Sequence, residues 1–308
     1  MERKYIDMIL NSYEEDGISY TEFYKRYGID KAGLVAGNPK EFVNAFNGKC
    51  ISQIIFVDAG LSSLNEFKYV EKLCIVYTHK PKKIIDLNAL YDIKLETLLI
   101  CGKDSYFKDK LAIKRLDGLK RLKISMAQLS CDKSDCKLTS LEIDDIGRVD
   151  NLNFLTSFLN LEYLTLSGGV INKLEGIHRL KKLRSFTFSD VEILDVKGLR
   201  ELSGLVNLSV MGKFDENIIC ELPYLRNLEY LKLDAHIKIN DVKWVGKLNN
   251  LKTIVLGCIV KDGNLIPLRK IPYVLLKTQQ QNYNLKDKDF SKCVETDNEY
   301  GIPVYKKF

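Results

Sequence analysis

The chain has 308 residues, 45% of them hydrophobic and 29% charged, which is the composition of a soluble globular protein and excludes extensive disorder. A formal charge of +6 is modest for this length and does not by itself call for nucleic acid. The opening MERKYIDMILNSYEED carries acids and no long apolar run, so neither a secretory leader nor a transit peptide is expected, and no window approaches the ~20 apolar residues of a membrane span.

Residues 1–49 carry a helical pattern, with Tyr5, Ile6, Ile9, Leu10 and Tyr13 on one face and Phe23, Tyr24 and Tyr27 on another. In NPKEFVNAF, Asn38 suits an N-cap, Pro39 the first helical position, and Glu41 completes a capping box before Phe42, Val43 and Phe46. A helical N-terminal cap is predicted here. The eight cysteines are scattered through a chain too long to depend on disulfides, and are expected to be mostly reduced. Within CDKSDC, Cys131 and Cys136 lack a second cluster to complete a zinc site.

From residue 50 to 276 the pattern apolar-x-x-apolar-x-apolar recurs about eleven times. Its rungs begin at Ile51, Val70, Leu95, Leu119, Leu138, Leu161, Leu183, Leu205, Leu228, Leu251 and Ile271. Between rungs, apolar residues fall at every third position, as in Leu174, Ile177, Leu180 and Leu183, or Val196, Leu199, Leu202 and Leu205. That spacing predicts short 3-10 or irregular helical returns rather than long α-helices. In each rung the fourth and sixth residues should face inward, and the third, fifth and seventh outward. One rung cannot bury enough to stand alone, so neighbours must stack.

This pattern resembles the leucine-rich-repeat family, closest to its class of roughly 22-residue repeats found in internalins and phosphatase-regulatory subunits. The resemblance implies an α/β fold: a curved right-handed solenoid with a parallel β-sheet on its concave face and the short returns on its convex face. It also implies a protein partner. The family's usual asparagine is missing, however. Its positions hold Ala59, Thr78, Lys103, Ala127, Ile146, Gly169, Val191, Lys213, His236 and Ile259. Backbone donors or water must then satisfy the carbonyls that this amide would serve.

At the far end, Pro272 in IPYVLL suits an edge strand that can lack one donor. Residues 277–308 form a tail whose Val294, Tyr300, Ile302, Val304 and Tyr305 are expected to fold back over the last rung.

Nothing assembles as an active site, and neither an enzyme, a cofactor nor a metal is expected. His79, His178 and His236 fall in three different inter-rung segments, and no P-loop, dinucleotide fingerprint or HExxH is present. HKPKK (79–83) reads as an exposed loop. The basic segment 103–137, with Lys108, Lys110, Lys114, Arg115, Lys120, Arg121 and Lys123, reads as a solvated outer surface, with nucleic-acid or polyanion binding as the lower alternative.

The outward positions form columns. Small hydroxyls in the middle (Thr165, Thr187, Ser209, with Ser185 and Ser189) are flanked by Glu142, Asp144 and Asp145 on one side and Tyr230, Lys232 and Asp234 on the other. At both ends the columns turn apolar, with Ile55, Val57, Cys74, Val76 and Leu99 in front and Val255, Tyr273 and Leu275 behind. The resulting expectation is a cytoplasmic, monomeric, non-enzymatic scaffold. It would bind a protein through Glu142, Asp144, Tyr163, Thr165, Thr187, Ser209, Tyr230, Lys232 and Asp234, and not a membrane. A toxin-neutralising (immunity) or enzyme-regulating role is the alternative.

Overall fold

The computed structural model describes residues 12–21, 29, 31–103, 106–130, 136–214, 216–235, 237–291, 293–297 and 303–307. The chain divides into two compact units, residues 1–141 with 298–301 and residues 142–297 with 302–308.

The first unit runs β1 (Tyr13–Glu15), β2 (Ile18–Thr21), β3 (Ala32–Ala36), β4 (Gln53–Val57), β5 (Lys72–Val76), β6 (Thr97–Cys101) and β7 (Arg121–Ser125), hydrogen-bonded in that order. The β1–β2 and β2–β3 pairings are antiparallel, and from β3 onward they are parallel. The chain passes into the second unit within β8 (Ser140–Asp144) and goes on with β9 (Gly147–Val149), β10 (Tyr163–Ile171), β11 (Ser185–Ile193), β12 (Asn207–Phe214) and β13 (Tyr230–Asp234). After these come β14 (Lys238–Ile239), β15 (Thr253–Leu256), β16 (Ile259–Val260) and β17 (Tyr273–Leu276). Its main ladder is β8-β10-β11-β12-β13-β15-β17, with β9 pairing β10 and β14 pairing β16. A hairpin of β18 (Cys293–Asp297) and β19 (Pro303–Lys307) ends the described chain.

Each of the eleven predicted rungs forms a strand that starts two residues after the rung's first apolar residue, as Tyr163 follows Leu161. The inward fourth and sixth positions are sealed: Leu164, Leu166, Phe186, Phe188, Leu208, Val210, Leu231 and Leu233 are all buried. Removing each such side chain from water contributes roughly 1.5–3 kcal/mol.

The spacing of three in the returns is a backbone fact as well as a side-chain one. Ile177 N–H donates to Leu174 O (3.2 Å), Leu180 to Ile177 (3.0 Å) and Leu183 to Leu180 (3.1 Å). The same series links Val196, Leu199, Leu202 and Leu205, with bonds of 3.2, 3.1 and 3.0 Å. Every third residue thus donates to its predecessor while pointing its side chain into the core, as a 3-10 geometry requires.

Rungs are stitched at their starts by one carbonyl that takes two donors. Glu162 O accepts from Arg184 N–H (2.9 Å) and Ser185 N–H (3.0 Å), and Glu229 O from Lys252 (2.8 Å) and Thr253 (3.0 Å). At the last rung Pro272 has no N–H, and Lys252 O receives Tyr273 N–H alone (3.0 Å). The proline stands just ahead of β17, where one missing donor is tolerated.

The expectations for the N-terminal segment are corrected. Tyr13 lies in a strand, β1, rather than on a helix; the remainder of that aromatic pattern lies outside the described residues. Asn38 caps a short 3-10 turn (Pro39–Glu41), accepting from Lys40 N–H at 3.4 Å, and its amide meets the Glu41 carboxylate at 3.2 Å, side chain to side chain. The helix that follows, α1 (Val43–Gly48), is only six residues long. In front of the first predicted rung stands another, β3, with the sequence AGLVA. Its glycine is explained by α1: a Cβ on Gly33 would lie 2.7 Å from the Phe46 ring.

A further correction concerns the segment after Leu166, where the family's pattern implies a turn. The strand instead continues to Ile171. Gly169 (φ +133) pairs with both Gly147 and Val191, and a Cβ on it would sit 2.1 Å from Gly147 O. Backbone donors replace the absent asparagine: Ile146 N–H to Ser167 O (2.9 Å), Asn172 N–H to Val149 O (2.9 Å) and Leu194 N–H to Ile171 O (3.0 Å).

The tail's first part packs on the last rungs. Tyr283 and Leu285 are buried, and the Tyr283 hydroxyl accepts from Val260 N–H at 2.9 Å. Val294, Val304 and Tyr305 belong to the terminal hairpin, while Tyr300 and Ile302 lie outside the described residues.

On the return side, Arg200 donates to both oxygens of the Glu221 carboxylate (2.8 and 2.5 Å) and stacks on Tyr224. Glu221 is only 5% exposed at its side chain, and the guanidinium holds its carboxyl below the usual glutamate range. A depressed folded pKa stabilises the protein above the unfolded value and stops doing so as pH falls through the folded one.

Two outcomes follow. Gly169→Ala should cost about 2–4 kcal/mol in urea unfolding, because backbone has to move, while Gly60→Ala, with open space around it, should stay within about 0.5 kcal/mol. Glu221→Gln should lower the thermal midpoint at pH 7. Its difference from wild type should shrink once pH falls below the ordinary glutamate value of about 4.3.

Candidate functional site

The face of the second unit's sheet opposite the returns is arranged by register. Strand pairing places Tyr163, Ser185, Asn207, Tyr230, Thr253 and Tyr273 side by side in one column. The next column is Thr165, Thr187, Ser209, Lys232, Val255 and Leu275, and the third includes Ser167, Ser189, Met211 and Asp234. These are the columns read from the repeat.

Burial separates the candidates within them. Thr165, Thr187, Tyr163, Glu142, Asp144, Lys232 and Asp234 are half-buried. Tyr230 is 3% exposed and Ser209 7%, so neither presents the open side chain that alternation alone suggests. Tyr230 stands between Asn207 and Thr253 in its column. Ser167, Ser185 and Thr253 are buried with it.

The charges of this face are already engaged within the chain. Asp234 pairs with Lys277 and lies over Gly257, where a Cβ would come within 2.3 Å of Asp234 Oδ1. Glu142, Asp144, Tyr163, Tyr230 and Lys232 each carry a further intramolecular interaction. Two further residues border this face, Met211 of the seventh-position column and Asp190. Met211 is half-exposed in the third column, and Asp190 is exposed at a bulge with a left-handed backbone (φ +54). Met211 was legible from its column. The bulge at Asp190 was not, since it appears only as a register shift between Ser189 and Val191.

In the first unit the equivalent columns are sealed. Ile55, Cys74, Val76, Leu99 and Cys101 are buried together with Ala32, Leu34 and Ile29, with half-buried Val57 packed against them. Burial pushes the Cys74 thiol well above its ordinary value, and Cys101 beside it adds to the shift. Among the described residues Cys50, Cys74, Cys220 and Cys258 are free thiols. At the back, Val255 is buried, and Tyr273 and Leu275 are half-buried.

Two grooves at the strand-start edges are ladders of ion pairs and amides rather than reaction sites. One in the first unit, of about 1020 Å³, is crossed by Lys120 to Glu96 (2.7 Å). One in the second, of about 620 Å³, is bordered by Lys182 to Asn160 (2.7 Å) and Lys252 to Glu229 (2.7 Å). Part of the charge in segment 103–137 is taken up similarly, Lys137 pairing with Asp117 at 3.0 Å.

His79 is exposed beside Thr78 and Asp58 in the first unit, His178 is exposed in the second, and His236 lies outside the described residues. Among the described residues no group of three or more His, Cys, Asp or Glu is placed to hold a metal ion. No described helix is long and apolar enough to cross a membrane.

Parallel rungs joined by 3-10 returns, repeated through both units, are the leucine-rich-repeat fold, and solved structures agree. No family model matches the sequence, and no curated protein matches it. The complex of TLR13 with ssRNA13 is similar to this chain with a TM-score of 0.52 and 20% identity, over 79% of this chain and 38% of that one. The mouse RP105/MD-1 complex gives 0.50 and 17%, over 72% and 47%. An internalin, InlF of Listeria monocytogenes, gives 0.46 and 19%, over 78% and 66%. The chain therefore spans less than two thirds of each of these neighbours.

A double-mutant cycle on Asp234 and Lys277, each changed to alanine, should give a coupling of about 0.5–1 kcal/mol that declines with added salt, as for a partly exposed pair.

Proposed function

We propose that the chain is a non-enzymatic protein-binding scaffold, acting as a monomer in the cytoplasm, whose second unit recognises a protein partner through its open sheet face. The reading rests chiefly on one observation. Register sets half-exposed Thr165 and Thr187 in one column beside half-exposed Ser189 and Met211 in the next, with Tyr163 and Lys232 to either side.

Small hydroxyls allow a partner to close on the backbone, and a rim of tyrosine and charge supplies anchoring area and hydrogen bonds. The face is pre-formed by the ladder beneath it, which lowers the ordering cost of association. The fold supports this role by analogy alone, since unrelated functions share folds. Toxin neutralisation or enzyme regulation is a finer form of the same reading, decided by what the partner is.

Thr165→Arg with Thr187→Arg should leave the thermal midpoint nearly unchanged and lower partner capture from native lysate at least about tenfold. Lys173→Glu, on the return side, should leave capture intact. Undiminished capture by the Thr165/Thr187 variant would refute the assignment.

A further inference from the structure

Two loops of the first unit meet beside the ends of β5 and β6. Ile85 N–H donates to Tyr106 O (2.8 Å) and Lys108 N–H to Ile85 O (2.9 Å), forming an isolated parallel bridge between Ile85 and Phe107. Beneath it, Tyr77 meets Tyr106 and Phe107 edge-on, with centroids 6.4 and 5.8 Å apart, and its hydroxyl donates to Ala59 O at 2.7 Å. All three rings are buried, so the loops rest on a packed aromatic floor.

On that floor stands a cluster of cations that the ion-pair ladders elsewhere do not absorb. Lys80, Lys82, Lys83, Lys103, Lys108 and Lys110 are all exposed, and among the described residues none of their ammonium groups has an ionic or hydrogen-bonding partner. The acids of the same loops are fewer: Asp86, Asp104 and Asp109. Asp86 faces its own 3-10 turn, accepting from Asn88 N–H at 2.9 Å. Among these lysines projects Ile84, 67% exposed, the most exposed large hydrophobic side chain of the described residues.

We infer that this patch is a docking surface for an anionic lipid bilayer. Lysines near an anionic leaflet each contribute about 1 kcal/mol, and an aliphatic side chain among them enters the headgroup region, whose deeper layer is apolar. A nucleic acid would draw on the same charge but offers Ile84 no apolar recess, and the patch presents no arginine, with exposed His79 as the ring among its described residues that could stack on a base. The patch lies in the first unit and is independent of the protein-binding face proposed for the second. One failing leaves the other standing.

The test is co-sedimentation of the full chain with vesicles of phosphatidylcholine containing phosphatidylserine, alongside pure phosphatidylcholine vesicles and a poly(U) RNA. Expected is binding to the anionic vesicles alone at low salt, falling as salt rises. Lys82→Glu with Lys83→Glu and Lys108→Glu should weaken it at least about a hundredfold, and Ile84→Ser about three- to tenfold, with thermal midpoints unchanged. Failure to sediment with anionic vesicles at low salt, equal binding to neutral ones, or binding to poly(U) with none to vesicles would overturn the inference. So would binding unaffected by the lysine reversals.

Discussion

What every other feature depends on is that no rung completes its own hydrogen bonding. A strand of this chain has its N–H and C=O groups answered only by the strands beside it, and a buried unanswered group is costly. The doubly accepting carbonyl of Glu162 or Glu229 marks where one rung hands on to the next. In the returns the chain answers itself through bonds to the third residue back, which also aim Leu174, Ile177, Leu180 and Leu183 into the core. Side-chain periodicity and backbone bonding are one constraint seen twice.

The missing asparagine is resolved by the same means. Where a side-chain amide would reach into a turn, the middle of the second unit prolongs its strands to eight or nine residues and lets backbone N–H groups make the contacts. Strands pressed that closely exclude a Cβ at Gly169, which is why glycine stands there. The seventh-position residues Ser189 and Met211, paired across β11 and β12, border the open face around Thr165 and Thr187.

Much of this was legible in the sequence, because leucine spacing reports directly on strands and returns. All eleven strand starts and the composition of each column follow from it. The rung β3 escaped the pattern because Phe46 enters from α1 to fill the core, leaving glycine where the repeat would show leucine. Tyr13 was misread because aromatic residues recur in strands as readily as on helix faces. Tyr230 and Ser209 lie at outward positions as read, but alternation tells only which way a residue starts out, and burial depends on what lies alongside. The lysine platform escaped because its two loops, more than twenty residues apart in sequence, are brought together by the Ile85–Phe107 bridge.

Native-state hydrogen exchange on the amides of Ile146, Asn172 and Leu194 tests the central claim most directly, that backbone bonds stand in for the asparagine ladder. Those three amides should exchange only through openings as costly as those of the strand amides of Leu164 and Phe186. Exchange at the rate of the exposed loop residues Lys82 and Lys83 would contradict it.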